Sequence, residues 1–102
     1  MNLCNVAIAG ATGLVGRKMM EVLEERKFPV GKLKLLASKQ SVGKSLEFAG
    51  KIIPVEELTA KSFGGIDIAL FSAGGSVSKE MAPAAVADGA LVIDNSSAFR
   101  LD

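Results

Sequence analysis

The feature that most restricts how this chain can fold is a set of three glycines, Gly10, Gly13 and Gly16, standing between an apolar run and a helical pattern. Residues 3–9 are mostly apolar with β-formers Val6 and Ile8, which predicts a buried strand. After the glycines, Val15, Met19, Val22 and Leu23 recur at helical spacing, with Arg17, Lys18, Glu21, Glu24 and Glu25 on the other side. A chain that passes so quickly from strand to helix needs glycine for three reasons: a tight turn, close packing of strand on helix, and close approach of backbone to a ligand. The helix amino end adds unpaired N–H groups and a partial positive charge, which suit a phosphate. The spacing Gly-x-x-Gly-x-x-Gly differs from the common Gly-x-Gly-x-x-Gly, but its strand–turn–helix setting favours a dinucleotide pyrophosphate over a plain glycine turn. No register satisfies Gly-x-x-x-x-Gly-Lys-[Ser/Thr], which argues against a nucleotide kinase.

The rest of the chain continues the alternation. The first helix should stop near Phe28-Pro29, because a residue before proline is pushed out of the helical region. Residues 33–38 read as a buried strand, 39–44 as a polar loop, and 46–48 with 51–55 as a small hairpin joined at Ala49-Gly50. Residues 56–60 read as one helical turn before a loop at Gly64-Gly65, and 66–71 as a second clear buried strand. Gly74-Gly75-Ser76 then opens a helix to about Asp88, with a break at Pro83 left open and Gly89 as its stop. Residues 90–93 form the last strand. Continuous apolar strands alternating with helices predict an α/β fold: a Rossmann-like, doubly wound, mostly parallel sheet with helices on both faces. At 102 residues and 49% apolar content, the chain forms one domain with a core that needs no disulfide or metal. No closing helix follows the last strand, which suggests part of something longer.

Composition excludes several chemistries. A single cysteine, Cys4, allows no intrachain disulfide and no multi-cysteine zinc cluster, and the absence of histidine removes any Ser-His or Cys-His pair. Cys4 opens the first strand and reads as a buried small hydrophobe. A net charge of +1 and aromatics limited to five Phe argue against nucleic acid as a partner. No apolar run approaches the ~20 residues of a membrane span and no basic leader precedes one, so a cytoplasmic, reducing location is expected. The charge is nonetheless uneven: between Glu25 and Glu47 there is no acid, while Arg26, Lys27, Lys32, Lys34, Lys39 and Lys44 fall in that window.

That window bears on the cofactor. Folds that prefer NAD usually place Asp or Glu about 20 residues past the glycines, on the adenosine ribose. Here the position falls at Ser38-Lys39-Gln40-Ser41. Hydroxyls and an amide from Ser38, Gln40 and Ser41, with charge from Lys39 or Lys44, suit a 2′-phosphate and point to NADP; a solvated basic loop is the plainer alternative. The turn Ser72-Ala73-Gly74 leaves the second clear strand and should face the same crevice, so all three join the cofactor candidates, although Ser76 could serve simply as a helix cap. Ser78 stands where Gly-x-Ser-x-Gly would need its last glycine, and a hydrolase is rejected. Asp94-Asn95-Ser96-Ser97-Ala98-Phe99-Arg100 leaves the last strand at the same rim. Asn95 is a further cofactor candidate, and Arg100 is either a bidentate clamp for an anionic substrate or an exposed surface arginine.

At these residues the sequence resembles the aspartate-semialdehyde dehydrogenases, in their bacterial-type form. Gly10-Ala-Thr-Gly-Leu-Val-Gly16, Ala37-Ser-Lys-Gln-Ser-Val-Gly-Lys44, Ala69-Leu-Phe-Ser-Ala-Gly-Gly-Ser-Val-Ser78 and Val92-Ile-Asp-Asn-Ser-Ser-Ala-Phe-Arg100 are similar to that family's cofactor-domain motifs, in order and in spacing. The match runs through the whole chain and covers about the first third of a typical member, so residues 1–102 are expected to be its N-terminal NADP-binding domain, without the catalytic and dimerisation domain. The resemblance implies NADPH-dependent reductive dephosphorylation of aspartyl phosphate to aspartate semialdehyde, releasing phosphate, on the route to lysine, methionine and threonine, in a homodimer or homotetramer. It implies that Thr12, Gly13, Leu14 and Val15 hold the pyrophosphate, that Gln40 and Ser41 flank the 2′-phosphate, and that Arg100 grips the substrate's phosphate. Where the family often has arginine, this chain has Gln40 beside Lys39. The family's nucleophile lies in an Asn-Cys-Ser or Asn-Cys-Thr segment beyond these motifs, and its proton-handling histidine is also absent here. These 102 residues are therefore expected to bind cofactor and to carry no catalytic residue. The related N-acetylglutamyl-phosphate reductases and a non-catalytic NADP-binding sensor module are the alternatives.

Overall fold

In the computed structural model, which describes residues 3–72 and 75–94, the elements run in the order β1 (Cys4–Ala9), α1 (Leu14–Glu25), β2 (Val30–Ala37), a 3₁₀ turn (Lys39–Ser41), β3 (Ser45–Phe48), β4 (Lys51–Glu57), β5 (Ile68–Phe71), α2 (Gly75–Ala87) and β6 (Leu91–Asp94). They build a six-stranded sheet ordered β3-β4-β2-β1-β5-β6, in which only β3 is antiparallel to its neighbour. Counting parallel strands along the chain gives the order 3-2-1-4-5, the doubly wound Rossmann arrangement, whose direction of winding reverses between β1 and β5.

Alternation along β1 decides which residues meet which helix. Val6 and Ile8 face one side and are buried with Met19 and Met20 of α1, Leu33 and Leu35 of β2, and Val55 of β4. Ala7 and Ala9 face the other side, with Leu36, Phe63, Phe71 and Ala85 of α2. Small residues on that second face leave room for Phe63 and Phe71, whose rings stack with centroids 5.8 Å apart. Leu35 and Leu36 are both fully buried although they point to opposite faces, as expected of a parallel sheet covered on both sides. Between α1 and the β5–β6 side of the sheet lies an apolar groove lined by Met19, Leu23, Phe28, Ile68, Leu70 and Ile93. No helix among the described residues is long and apolar enough to cross a membrane.

Two local expectations change, and the break left open at Pro83 is absent. Residues 56–60 do not form a helical turn: Glu56 and Glu57 extend β4 and pair in parallel with Leu36 and Ala37. Ladder hydrogen bonds along the outer side of β2 outweigh the helical preference of two glutamates. Leu58 extends the contact, its N–H donating to the Ala37 carbonyl at 2.8 Å. β2 begins at Val30 rather than Leu33, because Cys4 pairs with Val30 and its N–H reaches the Pro29 carbonyl at 2.9 Å. α2 runs through Pro83 unbroken, with Met81, Ala84 and Ala85 packed on the sheet face on either side of it. Ser76 is the second residue of α2, whose first residue is Gly75.

The stops are built as the sequence implies. At the end of α1, the Phe28 N–H reaches the Leu23 carbonyl and the Lys27 N–H that of Glu24, a Schellman closure with Lys27 at φ 52°. α2 is stopped at Gly89, φ 88°. The hairpin turn places Ala49 at φ 51° and Gly50 at φ 82°, both in the left-handed region that a type I′ turn requires. Alanine is poorly suited to that region, whereas asparagine tolerates it. Ala49→Asn is expected to stabilise the chain by about 0.5–1 kcal/mol, read as an upward shift of the urea midpoint with unchanged slope. A destabilised variant would contradict the assigned turn.

Half-buried Cys4 packs against the α1-side core at the start of β1. Five residue steps separate it from Ala9, so ~16 Å of strand lies between its Cα and the end that carries the glycine turn. Among the described residues no cluster of three or more His, Cys, Asp or Glu could hold a metal ion.

Candidate functional site

The carboxyl ends of β1, β2 and β5 meet at one rim, and the turns that leave them surround a crevice of about 420 Å³. Gly10, Thr12 and Gly13 supply its floor, Ala37 and Ser38 the β2 side, and Ser72 the β5 side. This is the place where open α/β sheets receive ligands, outside the strand ends where the winding reverses.

The glycine turn is held from both neighbours of β1. The Gly10 and Ala11 N–H groups donate to the Leu36 carbonyl at 2.8 and 3.1 Å. From the β5 side, the Ser72 N–H donates to the Ala9 carbonyl at 2.9 Å, and the Ser72 hydroxyl lies 3.0 Å from that oxygen and 3.1 Å from the Gly10 carbonyl. Gly10 sits at φ 89°, where a side chain is strained. Gly13 precedes α1 at φ −79°, ψ 171°, and its N–H donates back to the Gly10 carbonyl at 3.1 Å. The first helical hydrogen bond runs from the Arg17 N–H to Gly13 at 3.0 Å, so the N–H groups of Leu14, Val15 and Gly16 have no helical partner.

The three glycines are glycine for different reasons. At Gly16 a Cβ would stand 2.3 Å from the Gly10 oxygen and 2.8 Å from the Ala11 Cα, both backbone atoms, so helix and turn pack together only without one. At Gly13 the nearest atom to a Cβ is the Gly10 oxygen at 3.4 Å, an ordinary contact, and its backbone conformation is open to any residue. Among the described residues, nothing demands glycine there. A group from outside that must reach the backbone would demand it.

Across the rim, the 3₁₀ turn of Lys39–Ser41 brings the half-buried Ser41 hydroxyl within 3.4 Å of the Thr12 hydroxyl, joining the turn after β1 to the turn after β2. Ser38, Lys39, Gln40 and Lys44 are exposed beside it. Leu14 is 88% exposed at the mouth of the helix, while Val15 packs against the α1-side core. The structure thus brings Gly10, Thr12, Gly13, Ser38, Ser41 and Ser72 together at one rim, with Gln40 in the adjoining turn. Ala73, Gly74, Asn95 and Arg100 lie outside the described residues.

Three lining residues escaped the sequence reading: Leu58, Glu80 and Met81. Leu58 follows β4 directly, and reading residues 56–57 as strand would have carried it to the rim. Glu80 and Met81 come from within α2, and only the seating of that helix on the sheet brings them to the crevice. The acidic pair Glu56 and Glu57 was also unforeseen there, beside the last residues of β2.

Residues 5–102 match the family described as "Semialdehyde dehydrogenase, NAD binding domain". The aspartate-semialdehyde dehydrogenase of Bacillus subtilis is 54% identical over 98 residues, covering 96% of this chain and 28% of the relative. That of Aquifex aeolicus is 62% identical over 98 residues, covering 95% of this chain and 29% of the relative. Among solved structures, aspartate semialdehyde dehydrogenase II of Vibrio cholerae, complexed with ASA, superposes with a TM-score of 0.88 at 51% identity, over 92% of this chain and 31% of that one. The chain therefore spans less than a third of the length of the curated relatives it matches. With its Rossmann order, its glycine turn and a match over nearly its whole length, the chain belongs to the semialdehyde dehydrogenase family, as the NAD-binding domain of that family.

Proposed function

We propose that this chain binds NADP in the crevice between the turns after β1, β2 and β5, as the N-terminal cofactor domain of an aspartate-semialdehyde dehydrogenase. The observation that carries the binding site is Gly13, a glycine that its own backbone and the packing of the described residues do not require, at the exposed start of a helix whose first N–H groups have no helical partner. The pyrophosphate lies on the N–H groups of Leu14, Val15 and Gly16, with Thr12 beside it. The adenosine end runs toward Ser38 and Ser41, and Leu58 and Met81 give the crevice apolar walls. Ala73, Gly74 and Asn95 complete the cofactor contacts.

The preference for NADP rests on the turn after β2. Ser38, Lys39, Gln40 and Ser41 offer hydroxyls, an amide and an ammonium, and no carboxylate, to a 2′-phosphate. One or two charge-assisted hydrogen bonds predict that NADP binds on the order of ten- to a few hundredfold tighter than NAD. Glu56 and Glu57, on the adjacent strand, hold the preference toward the lower end of that range. Calorimetric titration of the chain with the two cofactors measures it directly, and equal affinities would remove the assignment of the 2′-phosphate to this turn.

The whole protein's reaction is the NADPH-dependent reductive dephosphorylation of L-aspartyl 4-phosphate to L-aspartate 4-semialdehyde, on the route to lysine, methionine and threonine. It proceeds in a cytoplasmic homodimer or homotetramer. Within it this chain supplies the hydride carrier's seat, and Arg100 holds the substrate's phosphate. Cys4 takes no part in the chemistry, since it sits at the opposite end of β1 from the rim. The names of the matched relatives support this reading, and neither the N-acetylglutamyl-phosphate reductases nor a non-catalytic sensor module is favoured.

A further inference from the structure

We propose that Ser72 is a positioning residue for the cofactor, acting by fixing the orientation of the Gly10 carbonyl; the inference rests on the dinucleotide reading above. Ser72 is the first residue after β5, and strand pairing already brings its N–H to the Ala9 carbonyl. Its hydroxyl is 3.0 Å from the Ala9 oxygen and 3.1 Å from the Gly10 oxygen. A serine hydroxyl has one proton, and both neighbours are pure acceptors, so that proton is shared between them. The hydroxyl consequently has none to give to a phosphate oxygen, which itself only accepts.

What the hydroxyl does control is the Gly10–Ala11 peptide. The Gly10 oxygen accepts from the Gly13 N–H, accepts from Ser72, and is the first atom that a Cβ at Gly16 would meet. Glycine at φ 89° is the least restrained residue of the turn, so rotation of this peptide is the motion that the backbone itself resists least. On the other side, Leu36 holds the Gly10 and Ala11 N–H groups, and among the described residues only Ser72 reaches the Gly10 carbonyl from β5. If the carbonyl swung away, the Gly13 N–H would lose its partner and the entry into α1 would shift, spoiling the alignment of the N–H groups that face the pyrophosphate. Ser72 thus couples the end of β5 to the phosphate turn and pre-organises it before any ligand arrives.

The test compares wild type, Ser72→Ala and Ser72→Thr by NADP titration and by ligand-free amide hydrogen exchange. For Ser72→Ala, the expected results are NADP affinity about tenfold lower and exchange of the Gly13 amide at least about tenfold faster, with the amides of Ile8 and Leu35 in the sheet unchanged. Ser72→Thr keeps a hydroxyl and is expected to restore both. Three results would overturn the positioning role: full affinity in Ser72→Ala, lost affinity with an unchanged Gly13 amide, which would make the side chain a direct ligand contact, or equal acceleration at Ile8 and Leu35, which would make its role general stability. Failure of the wild-type chain to bind NADP would remove the dinucleotide reading together with this one, and is distinguishable from all three.

Discussion

Replacing Gly13 by valine is expected to leave the chain folded and to weaken NADP binding by about a hundredfold or more, equivalent to losing two or more charge-assisted hydrogen bonds. The fold survives because the site tolerates a side chain: φ −79° and ψ 171° are extended values that a β-branched residue adopts readily, the position is exposed, and the nearest atom to a Cβ is 3.4 Å away. Loss of glycine at a helix cap costs no more than about 1 kcal/mol. The ligand, by contrast, must come within hydrogen-bond distance of the backbone on either side of Gly13, and an isopropyl group there keeps a pyrophosphate out. Titration calorimetry, with circular dichroism and thermal unfolding to confirm the fold, separates the two effects. Unchanged affinity in a folded Gly13→Val chain would remove the pyrophosphate from this turn. Gly13→Ala should fall between the two, because a single methyl intrudes less.

Gly16→Ala should do the opposite, damaging the fold first. On local grounds the substitution ought to help, since alanine is favoured over glycine within a helix by about 1 kcal/mol. The added Cβ, however, would stand 2.3 Å from the Gly10 oxygen, 2.8 Å from the Ala11 Cα and 3.0 Å from the Gly10 carbonyl carbon. None of these atoms is the end of a flexible side chain. The Gly10 oxygen is held by the Gly13 N–H and the Ser72 hydroxyl, and the Ala11 backbone by the Leu36 carbonyl, so relief requires moving α1 off the sheet. Overpacking of this kind outweighs the helical gain and predicts a net loss of about 2–3 kcal/mol, or roughly 10–20 °C in Tm for a domain of this size. Thermal denaturation followed by circular dichroism measures it. A Gly16→Ala chain as stable as wild type would show that α1 is not pinned against the turn. Together the two substitutions assign one glycine to the ligand and one to the packing, a distinction that their common motif hides.

Much of this architecture was legible from residue order because its signals are local. The apolar run with Val6 and Ile8 could be little else than a buried strand, and the recurrence of Val15, Met19, Val22 and Leu23 required a helix with one apolar face. Gly50 marked the hairpin that joins β3 to β4, and Gly89 marked the end of α2, because glycine enters left-handed backbone without steric cost. The crevice was legible for the same reason: glycine spacing and strand ends are features of short stretches, and the convergence of strand ends follows once the sheet is parallel.

What required the tertiary structure was everything decided by a partner distant in sequence. Glu56 and Glu57 have no strand preference of their own, yet the open side of β2 recruits them into β4 through Leu36 and Ala37. Pro83 reads as a breaker in one dimension, while the sheet face that holds Ala84 and Ala85 keeps α2 continuous. Leu58, Glu80 and Met81 reach the crevice only because β4 and α2 are seated where they are. The sequence likewise marks Gly10, Gly13 and Gly16 as one motif, but a glycine's reason for being glycine lies in what surrounds the missing Cβ: backbone 2.3 Å away at Gly16, and no contact nearer than 3.4 Å among the described residues at Gly13. Local propensity is written along the chain, whereas steric exclusion and the destination of a hydroxyl proton such as that of Ser72 exist only once β1, β2 and β5 stand side by side.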